Sequence, residues 1–184
     1  VKRHVVVVTL VFVAMAGVVF GQGSRAWRAS LNGFNETNPG TVSTVARGSF
    51  RAHISGDGST VSWRLSYRDL EGDVTQAHIH FGAVGTNGGV SVWLCANNVS
   101  TAPAGTQACP ASPATVTGSF VAADVVGPAV QGIAPGEFAE LIRAIRAGHT
   151  YANVHSTKFG PGEVRGQLLP SRRDNDDDGG GHDH

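Results

Sequence analysis

Period-two alternation dominates the chain between residues 26 and 170. Val61, Trp63, Leu65 and Tyr67 alternate with Ser62, Arg64, Ser66 and Arg68, the mark of a strand with one face in a core and one in water. Gly56-Asp57-Gly58 just before it is a turn signal. Phe50, Ala52 and Ile54 supply a strand on the other side of that turn, so the two runs predict a hairpin. Trp27, Ala29 and Leu31 predict an opening strand, and Val90 to Cys95 a more continuously apolar one. One segment departs from this pattern. Phe138, Leu141, Ile142 and Ile145 fall at i, i+3, i+4 and i+7, the apolar stripe of a short helix over 137–147. Pro135-Gly136 precedes it, Glu137 and Glu140 favour its positive end, and Gly148 follows as a stop. Strands with frequent turns and one helix predict an all-β fold, either an antiparallel β-sandwich or a flattened Greek-key barrel. Ala96 to Ser112 reads as a long loop.

The two ends differ from this middle. Lys2, Arg3 and His4 precede an apolar run from Val5 to Phe20, and small or polar residues follow from Gly21 to Ser24. A basic start, a short apolar core and a small-residue exit describe a secretory signal peptide over 1–23. The run is shorter than the roughly 20 residues a spanning helix needs, so no membrane span is expected in the mature form. Val1 in the first position is the pattern of an alternative bacterial start codon. From Ser171 the chain runs Ser-Arg-Arg-Asp-Asn-Asp-Asp-Asp-Gly-Gly-Gly-His-Asp-His, an acidic and histidine-bearing tail (171–184) with nothing apolar to bury, expected to be disordered.

Export changes how the two cysteines read. Cys95 and Cys109 form an even count in an oxidising compartment, which predicts one disulfide. Closing a loop of that length stabilises by on the order of 3 kcal/mol in the chain-entropy picture. Charge is sparse and mixed, with no basic patch carrying interleaved aromatics, which argues against nucleic acid. The expected partner is an extracellular protein or matrix component.

Three stretches carry polar side chains on one strand face. Gln76, His78 and His80 alternate with Ala77, Ile79 and Phe81; Tyr151, Asn153 and His155 with Ala152 and Val154; Glu163, Arg165 and Gln167 with Val164, Gly166 and Leu168. If these strands are neighbours, their polar side chains gather on one sheet face. Residues i and i+2 share a face about 6.5 to 7 Å apart at Cα, so His78 and His80 can chelate one ion. His155 adds a third imidazole, a set that suits copper or zinc, with Glu163 as a ligand or an orienting group. The competing reading is a hydrogen-bonded network in which the imidazoles, Glu163, Asn153, Arg165 and Gln167 satisfy one another. No nucleophile motif and no phosphate loop stands out; Gly82 to Gly89 reads as a hairpin connection.

The same residues carry a resemblance. Ala77-His-Ile-His-Phe-Gly82, Gly85-Thr-Asn-Gly88 and Val90-Ser-Val-Trp-Leu94, followed by Tyr151-Ala-Asn-Val-His155 and Gly162-Glu-Val-Arg-Gly-Gln167, resemble the paired signatures of CHRD (chordin-type) domains over 26–170. Gly89 stands where the family often has proline, and Ser156 where threonine is usual. The resemblance implies a secreted binding or structural module without an assigned catalytic activity. A fainter similarity is to the Cu/Zn superoxide dismutase sandwich. It implies copper ligands at His78, His80 and His155, a substrate-guiding role for Arg165 and, as the alternative function, a copper-dependent redox protein. The sequence lacks that family's zinc loop and bridging histidine.

Overall fold

The computed structural model describes residues 25–171; the leader at 1–23 and the tail beyond Ser171 lie outside the described residues. Nine strands and one α-helix form there: β1 (Ala26–Asn32), β2 (Arg47–Ile54), β3 (Val61–Arg68), β4 (Val74–Phe81), β5 (Gly89–Ala96), β6 (Ala114–Phe120), α1 (Phe138–Arg146), β7 (Thr150–Ser156), β8 (Val164–Gln167) and β9 (Leu169–Pro170). They make one sheet in the order β5-β4-β7-β8-β1-β2-β3-β6, with β9 pairing β1. Every pairing is antiparallel. This is the expected all-β fold, in the form of a nearly closed Greek-key barrel.

Alternation sets the inside. Along β3, Val61, Trp63, Leu65 and Tyr67 are buried while Arg64 and Arg68 are exposed. β2 meets it in register, Phe50 opposite Leu65 and Ala52 opposite Trp63, which is the anticipated hairpin. A one-residue slip would turn every one of these apolar side chains into water, so the register is tightly specified. The helix buries Phe138, Leu141, Ile142 and Ile145, with Phe138 edge-on to Phe120 at 6.1 Å. Arg143 and Arg146 lie in its last turn, where the dipole favours cations, and Gly148 takes φ +73° just beyond it. Leu141 is fully buried, so truncation to alanine there costs about 2 to 5 kcal/mol.

The gap in the barrel lies between β5 and β6. The loop after β5 crosses it, tied down by the disulfide Cys95–Cys109. From this loop Gln107 Nε2 donates to Leu94 O on β5 at 3.1 Å and to Thr117 O on β6 at 3.3 Å. One side chain thus spans the seam. No helix among the described residues is long and apolar enough to cross a membrane.

Candidate metal centre

β4, β7 and β8 are neighbours, so the three polar faces do join. His78 lies opposite Asn153, His80 opposite Tyr151, and Asn153 opposite Arg165. This is the barrel's outer side, yet His78, Asn153, His155, Glu163 and Arg165 are all buried. Polar side chains gather there because loops rather than solvent cover them: Gly88 from the β4–β5 turn, Gly160 from the β7–β8 turn, and Glu36 with Thr37 from the β1–β2 connection.

The histidines set one another's tautomers. His80 Nδ1 lies 3.0 Å from Gly88 O, and His155 Nδ1 lies 2.8 Å from Gly160 O. A carbonyl only accepts, so both Nδ1 atoms carry the proton and both Nε2 atoms keep a lone pair. His78 Nδ1 lies 3.2 Å from His155 Nε2 and is therefore the donor in that contact. What remains is two buried nitrogens, His78 Nε2 and His80 Nε2, with no hydrogen-bond partner. Such orphans are uncommon in folded proteins. Across the trio one ligand atom from each imidazole lies within 4.8 Å of the others. The 3.2 Å contact also approaches the separation of roughly 3.3 Å that two nitrogens share on a tetrahedral ion at normal metal–nitrogen distances.

The surroundings hold the rings neutral and fixed. Burial pushes His78 down to about 2, helped by the charges His155 and His80 would carry. His80 is pushed down to about 4, chiefly by burial, with its Gly88 bond opposing, and burial also lowers His155. Trp93 stands edge-on to His78 at 4.2 Å between ring centroids. Tyr151 stacks flat on His80 at 4.7 Å, and the Arg165 guanidinium carbon sits 3.4 Å from the Tyr151 ring centre.

The other residues singled out from sequence occupy different places. Glu163 Oε1 accepts from Thr44 Oγ1 at 2.9 Å and from the Glu71 N–H at 2.8 Å, and the cluster of possible ligand atoms does not include it. Its Oε2 is buried without a partner. Arg165 donates to Thr37 Oγ1 and to Thr86 O, both at 2.6 Å, and Gln167 Nε2 reaches Gly82 O and Gly148 O. These two act as loop anchors. Asn153 Nδ2 donates to Glu36 Oε1 at 2.8 Å.

Glu36 belongs to this face although no sequence pattern marks it. It lies in a connection without periodicity, and Gly162 lets it in: a Cβ there would stand 2.7 Å from Asn153 Nδ2 and 2.8 Å from Glu36 Oε1. Burial raises its carboxyl to about 7, against the lowering pull of Arg165 and the Asn153 hydrogen bond. Gly89, too, has no room for a side chain, since a Cβ would lie 2.5 Å from Pro128 Cβ. Its N–H donates to Gln131 Oε1 at 2.7 Å, a bond proline could not make.

Comparison with known proteins agrees with the motifs. The family model described as CHRD domain matches residues 27–168. No curated protein and no solved structure matches the chain. The match begins within β1 and ends beside β9, taking in the whole barrel and both histidine strands, and so the chain belongs to the CHRD-domain family.

Proposed function

We propose that this CHRD domain is a secreted, extracellular module that binds one copper or zinc ion through His78, His80 and His155. The carrying observation is the convergence of three imidazoles, two buried and His80 half-buried, whose possible ligand atoms lie within 4.8 Å, two of them with Nδ1 already donated to a backbone carbonyl. That second hydrogen bond is how proteins orient metal-binding histidines and fix which nitrogen faces the ion. An all-imidazole donor set suits copper and zinc, and divalent copper binds such sites most tightly. Binding at His78 Nδ1 requires loss of the proton it shares with His155, while binding at its Nε2 does not. The apolar signature at 5–20 and the family's occurrence in extracellular proteins support export.

The test is metal analysis of the untagged chain beside a variant with His78, His80 and His155 all replaced by asparagine, after exposure to copper or zinc and gel filtration. His182 and His184 in the tail supply the same background to both. About one additional equivalent retained by the wild type is expected. Equal metal in both proteins, with the variant merely less stable, would make the trio a structural network. Superoxide assays on the copper-loaded chain then separate a binding module from a redox protein.

A further inference from the structure

The opposite side of the barrel, away from the histidines, carries a different pattern. The outward residues of β1, β2, β3 and β6 are mostly arginines, serines and threonines, joined by Asn32 and His53, and these four strands contain no aspartate or glutamate. Strand register turns three of the arginines into a row: Arg28 lies opposite Arg51, and Arg51 opposite Arg64, which faces Thr117 on β6. At about 4.8 Å between strands, the row places three cations within roughly 10 Å at their Cα atoms. All three are exposed, and none takes part in the ion pairs among the described residues. The next row along the strands is Ser30, Ser49, Ser66 and Thr115, and beyond it Arg47 faces Arg68. A groove of about 590 Å³ runs over Arg28, Arg51, His53, Ser62 and Arg64.

Like charges directly opposite on a sheet are destabilising, so this row works against the fold unless an anion bridges it. Arginine binds sulfate and carboxylate through paired N–H groups, which a lysine cannot reproduce. Trp27, Phe50 and Trp63, which precede the three arginines in the chain, are only 2%, 1% and 7% exposed and offer no stacking platform for bases. The hydroxyls between the cationic rows suit a partner that is itself rich in hydroxyls. We propose that this face binds a linear acidic polysaccharide, its sulfate or carboxylate groups seated along Arg28, Arg51 and Arg64. The assignment stands apart from the metal site, on the other side of the barrel.

The full chain is titrated with dextran sulfate, alginate and neutral dextran at low salt. Binding to one or both acidic polymers and not to neutral dextran is expected, and the two acidic arms tell sulfate from carboxylate. R51Q/R64Q should weaken it about tenfold, while R143Q/R146Q, which removes the same charge from the helix, should change it less than about twofold. Removing opposed like charges should leave the thermal midpoint of R51Q/R64Q at or above that of the wild type. R51K/R64K, which keeps the charge but loses the planar fork, should show an intermediate loss. Equal losses from the row and helix variants, no binding to either acidic polymer, or tighter binding to single-stranded DNA than to both would overturn the proposal.

Discussion

Glu36 makes the stability of this domain depend on pH in a direction unusual for a carboxylate, and one substitution isolates the effect. It is 5% exposed, and its carboxyl is raised from 4.5 to about 7. Between those values the folded chain holds a proton there that the unfolded chain has released. Folding stability therefore falls as pH rises through this window, by about 1.4 kcal/mol per pH unit. The stabilisation is fully present below pH 4.5 and lost above about 7, a total of about 3 kcal/mol. E36Q keeps an acceptor for Asn153 Nδ2 and removes the titration. Urea unfolding of both proteins in a chelating buffer at intervals from pH 4.5 to 8 gives the difference between them, in which the histidines and all other groups cancel. E36Q should gain about 3 kcal/mol on the wild type across the series, with most of the change between pH 5 and 7. A difference that stays constant within about 0.5 kcal/mol would show that Glu36 is solvated or ion-paired rather than buried against Asn153.

Two further substitutions probe the framework. G162A should destabilise by about 2 kcal/mol or more by thermal melting, because its Cβ meets both Asn153 and the Glu36 carboxylate while the backbone sits at φ +145°. Q107A removes both hydrogen bonds across the seam and should cost about 1 to 2 kcal/mol, with faster amide exchange confined to β5 and β6 and little change in β1.

Legibility followed periodicity. The β2–β3 hairpin could be read because eight alternating positions in β3 and a Gly-Asp-Gly turn agree with each other, and the helix because its stripe and both end signals agree. The histidine trio was legible for a similar reason: i, i+2 spacing fixes a face, and only the adjacency of β4 and β7 had to be supplied by the fold. Glu36 was not, since its burial comes from a contact with Gly162 across 126 positions of chain, and a loop glutamate looks like any solvated one. Glu163 shares a strand pattern with Arg165, but its partners, Thr44 and Glu71, come from two connections that no periodicity describes. The arginine row was equally hidden. Arg28, Arg51 and Arg64 are dispersed along the sequence and become neighbours only when register is known.

The seam also bears on how these molecules behave in a crowd. β5 and β6 are the two unpaired margins of the sheet, and exposed margins are where one molecule adds its strand to another. Here both are guarded by a single segment: Gln107 donates to a carbonyl on each, the Gln107 carbonyl accepts the Ala96 N–H, and Cys109 anchors that segment to Cys95. Reduction of that one bond would loosen the guard from both margins at once, leaving a chain with two adhesive ends, the arrangement that permits growth into open-ended filaments instead of closed pairs.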